Sequence, residues 1–313
     1  MMKQIVMSLA VILVLVLVAA FAEQGATDIA LDNELIVDVD DRNPWTNLAL
    51  NNKPRDFQFA ILTDRTGGRR PGVFTKAIER VNLLQPEFVL SVGDLIQGGT
   101  DDPGMWALEW SEFCSKVEEL QMPFFFCAGN HDISNLPMSQ DWAQRFGRSY
   151  YHFRYRDVLF VVLNTEDPPD TDEPYNFSVE QQEWARSVLD GNQDVRWTFV
   201  ILHKPTWTYT ETDPVASGWT AIEETLAGRP YTVFAGHKHT YAKYIRKGQE
   251  YYMLATTGGG SNLSGLADGK FDHFVWVTMK DDEPVIANVL LDGIENEDVR
   301  TLPDPALKAR DAE

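Results

Sequence analysis

Cysteine is scarce: Cys114 and Cys127 are the only two in 313 residues. So few exclude a disulfide-stapled scaffold. Neither belongs to a closely spaced metal-binding pair. Both are expected to serve as small buried apolar residues, with a mutual bond as the alternative if the chain is exported. Basic charge is also in deficit. Lys and Arg number 27 against 47 Asp and Glu, a net charge of -20. Such a surface repels phosphate backbones at long range, so no nucleic-acid partner is expected. A small phosphorylated substrate stays admissible, because a local metal charge outweighs the global field. Past residue 22 no apolar run is long enough to span a bilayer. Internal repeats and low-complexity segments are absent too.

What is there begins with a leader. Met1-Met2-Lys3-Gln4 precedes an almost wholly apolar run from Ile5 to Val18, and Ala20-Phe21-Ala22 supplies small residues ahead of Glu23. This pattern predicts a signal peptide over 1–22 and an exported, periplasmic or extracellular protein. An uncleaved N-terminal membrane anchor is the alternative, because the run approaches spanning length. Residues 23–56 read as a polar lead-in, with Leu35-Ile36-Val37 as a candidate edge strand.

Strand and helix patterns then alternate. Strands are expected over 57–62, 88–92, 124–128 and 197–202, and again over 231–235. Helices are expected over 73–84 and 105–120, around 141–146, and over 178–189 and 219–226. Segments 150–155 and 158–163 read as a hairpin turning at Arg156-Asp157. Ser178 caps the fourth helix, with Gln181 at the capping-box position. From Tyr241 the patterns are all strand, ending near Leu291. The reading is one domain over 57–294, made of two packed sheets with helices outside, and a loose charged tail over 295–313.

Four of the six histidines stand just past these strands. In order the chain presents Asp64, Asp94, Asn130-His131, His203 and His237-Lys238-His239. Strand ends are where an open α/β sheet places its chemistry. Asp, Asn and His are hard-to-borderline metal ligands. Singly, each has a plainer reading: Asp64 as a turn or cap residue, His203 as a satisfied core histidine, the His237/His239 pair as an exposed loop. The repetition argues for a metal site. Asp132, next to His131, is expected to orient that imidazole through its ring nitrogen and favour its protonated, acidic form.

Together these elements resemble the calcineurin-like metallophosphoesterase superfamily over roughly Phe57 to Leu291. The resemblance implies an α/β fold, a four-layer α/β/β/α sandwich of two mixed sheets. It also implies two divalent transition metal ions (Mn, Fe or Zn) and hydrolysis of phosphate mono- or diesters by a metal-activated water. Asp94 would bridge the ions, with Asp64 and His239 on the first and Asn130, His203 and His237 on the second. His131 would protonate the leaving group.

One position departs from the pattern. The superfamily carries a His two residues after its first Asp, whereas this chain has Thr66, a poor ligand for a transition metal. The first site is therefore expected to be weak or empty, and a mononuclear centre stays open. The Asp64-Arg65-Thr66-Gly67-Gly68 start also resembles an exported subgroup. Arg65 and Arg69 are candidates to hold a substrate phosphate through a bidentate fork, with a solvated loop as the plainer reading. A catalytically inactive metal- or phosphate-binding protein of the same fold is the alternative function. Several weaker features keep two readings each. Thr256 to Gly260 lines the pocket or forms a flexible turn. His273 supports the site or merely starts a strand. Trp207, Tyr209 and Trp219 form a substrate wall or pack the core. His152 reads as structural.

Overall fold

The computed structural model describes residues 44–46, 50–169, 177–208, 215–281 and 283–303. The leader, the candidate strand at Leu35-Ile36-Val37, Tyr209 and the end of the tail lie outside the described residues. Residues 1–53 separate as their own unit, and residues 54–313 carry the fold.

The first half is built of strand–helix units: β1 (Phe57–Leu62), α1 (Val73–Leu84), β2 (Phe88–Ser91), α2 (Pro103–Val117), β3 (Phe124–Phe125) and α3 (Leu136–Phe146). The hairpin β4 (Tyr151–Tyr155) and β5 (Val158–Val162) follows, then α4 (Val179–Asp190), β6 (Trp197–Ile201), α5 (Trp219–Thr225) and β7 (Tyr231–Ala235). The remaining strands are β8 (Ala242–Arg246), β9 (Gln249–Met253), β10 (His273–Met279), β11 (Pro284–Leu290), β12 (Gly293–Asn296) and β13 (Thr301–Pro303).

They form two mixed sheets, ordered β12-β11-β10-β1-β2-β3 and β13-β8-β9-β7-β6-β5-β4. Within the first, β1, β2 and β3 run parallel, and within the second, β5, β6 and β7 do. Parallel strands covered on both faces need apolar residues at every position, which is why these runs show no alternation. Three apolar layers result. Between the sheets pack Phe57, Phe59, Phe88, Phe160 and Phe199. Phe160 sets its edge on Phe59, with ring centroids 5.2 Å apart and planes at 83°. The outer face of the first sheet buries Phe74 of α1, Trp110 of α2 and Trp142 of α3. That of the second buries Ala185 of α4 and Trp219 of α5. This is the expected α/β/β/α sandwich.

Local chemistry sets the element ends. Arg156 and Asp157 turn the β4–β5 hairpin at φ 45 and 59, the left-handed pair that a two-residue turn of this hand needs. Ser178 accepts a hydrogen bond from the Gln181 amide as the N-cap of α4. Gln181 does not complete the capping box. Its side chain turns inward to bond both the amide and the carbonyl of Asn164.

Three expectations need correction. The strand from Phe124 ends at Phe125, because side chains take over the ladder: Tyr151 Oη donates to the Phe126 carbonyl and the Cys127 amide donates to Ser91 Oγ. The third helix starts five residues before Asp141, at Leu136, capped by Asn135, whose side chain accepts from the Met138 amide. The tail is not loose where it is described. β12 pairs with β11, and β13 adds itself to β8. Both cysteines are free thiols. No described helix is long and apolar enough to cross a membrane.

Candidate metal centre

The carboxyl ends of β1, β2, β3, β6 and β7 deliver Asp64, Asp94, Asn130 with His131, His203, and His237 with His239 to one edge of the sandwich. The backbone there is shaped for close approach. Asp94, His237 and His239 all adopt positive φ, at 55, 72 and 47, a conformation that costs a non-glycine residue energy and recurs at functional sites. Glycines clear the space around them. A Cβ on Gly129 would lie 2.4 Å from Asp94 Oδ1, and one on Gly236 would lie 2.2 Å from Asp64 Oδ2.

Two groups of side chains there could each hold a metal ion: Asp94, His203 and His237, and Asp64, Asp94 and His239, the ligand atoms of each group lying within 4.8 Å of one another. Asp94 is common to both. Asn130 Oδ1 stands 3.0 Å from His203 Nε2, which places it beside the first of these groups. The paired histidines diverge as a loop allows: His237 joins Asp94 and His203, and His239 joins Asp64.

Outer hydrogen bonds aim the imidazoles. His203 Nδ1 donates to the Val92 carbonyl at 2.8 Å, and His239 Nδ1 donates to the Gly260 carbonyl at 2.7 Å. Each ring therefore turns Nε2 inward as a ligand atom, the usual arrangement of a metal-binding histidine. Asp64 is wholly buried. Its Oδ1 accepts from the His237 amide at 2.7 Å, while its Oδ2 has no hydrogen-bond partner. A buried carboxylate oxygen left without a partner is costly, and a bound cation would satisfy it. Charge couples the same side chains. Burial alone would lower the pKa of His203, but the Asp94 carboxylate outweighs it and pushes His203 up to about 9. Burial would raise Asp94, yet His203 holds it well below the usual carboxylate range. His237 goes the other way, down to about 3, through burial and then through the charge of His203. With N and O donors gathered around two buried carboxylates, the residue set fits a pair of borderline transition metals.

His131 sits at the rim. Its amide donates to Asp94 Oδ1 at 3.0 Å, and its Nε2 lies 4.0 Å from Asp94 Oδ2. Asp132 does not orient it, contrary to expectation. Asp132 Oδ1 accepts from the Leu95 and Ile96 amides and Oδ2 from the Gly129 amide, so its role is to brace the loops bearing Asp94 and Asn130. Burial, then the nearby Asp94 charge, raises its pKa to about 7. The group that fixes the His131 ring is the Gln97 carbonyl, 2.6 Å from Nδ1. A backbone acceptor carries no residue-type signal. The pair Gly98-Gly99 behind it was the available cue, since a Cβ on Gly98 would strike the His131 carbonyl.

Both arginines expected at the substrate are engaged with the fold. Arg65 is buried, donates to the Leu95 carbonyl and pairs with Glu112 at 3.1 Å, its guanidinium over the Phe74 and Phe113 rings. Arg69 pairs with the same Glu112 at 2.5 Å. Both arginines thus fasten the loop to α2. Arg70 forks onto Asp272. Thr66 is buried, and its hydroxyl donates to Gln97 Oε1 at 2.7 Å.

The segment Thr256 to Gly260 is no flexible turn. Thr256 Oγ1 and the Thr257 and Gly259 amides all donate to the Asp64 carbonyl. His273 is structural: Nδ1 donates to Asn288 Oδ1 and Nε2 accepts from the Ala255 amide. Trp207 and Trp219 are fully buried core residues around Tyr251.

Comparison with known proteins agrees with this geometry. Residues 57–241 match the family model of the calcineurin-like phosphoesterases. The serine/threonine-protein phosphatase CPPED1 of Bos taurus is 26% identical over 184 residues, which cover 53% of this chain and 58% of that protein. Probable purple acid phosphatase 20 of Arabidopsis thaliana is 25% identical over 204 residues, covering 55% of this chain and 46% of that one. The chain thus spans about half the length of these curated relatives. The solved structure of a dimetal phosphatase from Danio rerio superposes with a TM-score of 0.55 over 76% of this chain and 96% of that one, at 15% identity, a likeness of fold.

Proposed function

Because the chain belongs to the calcineurin-like phosphoesterase family, we propose that it hydrolyses phosphate mono- or diesters with the help of two divalent transition metal ions, Mn, Fe or Zn. The observation that carries this reading is the pair of ligand groups joined at Asp94, in which His203 and His239 turn Nε2 inward. Asp64, Asp94 and His239 would hold one ion, and Asp94, Asn130, His203 and His237 the other. The ions, when bound, supply an activated water and neutralise charge on the phosphoryl oxygens.

The chain's own residues do the rest. Gln97 keeps the His131 Nδ1 proton in place, so any proton exchanged in the reaction sits on Nε2, on the side of Asp94. His131 is then a general acid for the leaving-group oxygen. Asp132 holds the Asp94 and Asn130 loops in register. Thr66 in place of a histidine makes the site around Asp64 the poorer in ligands, and that ion the weaker bound. The substrate is a small phosphorylated molecule, in keeping with the acidic surface. The apolar stretch from Ile5 to Val18 supports export.

The test is hydrolysis of p-nitrophenyl phosphate and of its bis-ester by the full chain, stripped of metal and reloaded with each candidate ion. Asp94→Ala should lower kcat by roughly a hundredfold or more on these esters, and His131→Ala should do so on glycerol phosphate, whose alkoxide leaving group needs the proton. Wild type and variants equally inert with every ion would overturn the proposal in favour of a binding protein of the same fold.

A further inference from the structure

Thr66 stands where a metal ligand is expected, yet its hydroxyl is engaged elsewhere. It donates to Gln97 Oε1 at 2.7 Å, and the backbone carbonyl of that same Gln97 accepts from His131 Nδ1 at 2.6 Å. The two ends of this chain differ in rigidity. Thr66 is fully buried, and its amide donates to the Asp94 carbonyl. Gln97 is exposed, and its side chain would be mobile without an anchor. Gly98, next along, packs so closely on the His131 carbonyl that a Cβ there would lie 1.8 Å from it. Any shift of residue 97 is therefore passed directly to His131.

We propose that Thr66 and Gln97 are positioning residues for His131: the Thr66 hydroxyl tethers the Gln97 side chain, and the tethered Gln97 carbonyl holds the imidazole at the angle from which Nε2 protonates the leaving group. This rests on the hydrolase reading above. As the phosphorus–oxygen bond to the leaving group breaks, the His131 Nε2 proton passes to the departing oxygen. The proton released by the attacking water restores His131. Nδ1 keeps its proton throughout, because a carbonyl oxygen accepts a hydrogen bond but not the proton. A position that elsewhere contributes a ligand here contributes orientation of the acid.

Protonation matters most when the leaving group is a poor one. An alkoxide needs the proton, and p-nitrophenolate departs without it. Thr66→Val keeps the shape of the side chain and removes the hydroxyl, and Gln97→Ala removes the tether from an exposed position where the fold is not at risk. Each should lower kcat roughly tenfold on glycerol phosphate and less than about twofold on p-nitrophenyl phosphate. Metal content should match that of wild type, and Thr66→Ser should restore wild-type kcat on both. Equal losses on the two substrates, no loss on either, or a fall in metal content would each refute the tether. A wild type inert on both substrates would instead remove the hydrolase reading itself, so the two failures are distinguishable.

Discussion

At Gly129 a single hydrogen atom separates a working site from a blocked one. The virtual Cβ at that position meets both the amide and Oδ1 of Asp94 at 2.4 Å. Gly129→Ala should push away the carboxylate shared by both ligand groups, lowering metal stoichiometry in elemental analysis and kcat by roughly a hundredfold. His273 offers a prediction of another kind. Burial pushes its pKa from 6.5 down to about 3, so the fold favours the neutral ring that bonds Ala255 and Asn288. The unfolded chain takes up a proton below pH 6.5 and the folded one does not. This group's contribution is thus complete above 6.5 and falls away as the pH drops toward 3. Over the first pH unit below 6.5, wild type should lose about 1 kcal/mol more stability than His273→Gln in urea titrations. At this scale the sequence told which residues to watch but not what they touch. Asp64, Asp94 and the histidines were legible because each closes an apolar strand. The partners of Asp132, Arg65 and Arg69 were not, because Glu112 lies far along the chain and backbone amides and carbonyls leave no mark on composition.

Elements were most legible where a strand is buried on both faces or a helix has a strong stripe, as with β1, α1 and β7, whose expected limits match those found. They were least legible where side chains compete with the backbone. Ser91 and Tyr151 end β3 early, a long-range event that no local pattern carries. The start of α3 does carry a local mark: Asn135 is a cap residue with Pro137 in the first turn, the usual opening signal. Asn135→Ala should cost about 1 kcal/mol. That is a fall of roughly 2 °C in thermal midpoint by calorimetry for a chain of this size.

The whole molecule gathers five strand ends from two sheets at one edge, and its stability should depend on what binds there. A ligand bound only by the folded state adds about 4 kcal/mol at a thousandfold excess over its dissociation constant. Chelation should therefore lower the thermal midpoint by on the order of 5–10 °C, reversed by adding back metal. Asp94→Ala should be insensitive to either treatment. Two packed sheets with helices outside could be foreseen from the change of pattern near Tyr241, where helices give way to strands, and the four-layer order from the family resemblance. The pairing of the last strand with β8 could not, since three residues carry too little pattern to reveal a partner.

The two sheets meet across a seam of phenylalanine rings, and such contacts resist separation more than sliding, since apolar attraction has no preferred direction. At the strand-end edge the seam is different. Each candidate ligand group takes residues from both sheets: Asp64 and Asp94 from one, His203, His237 and His239 from the other. Groups confined within 4.8 Å tolerate no slip. That edge acts as a rivet and the rest as a sliding joint, so a shearing force on the sandwich would concentrate its load on the candidate ligand atoms.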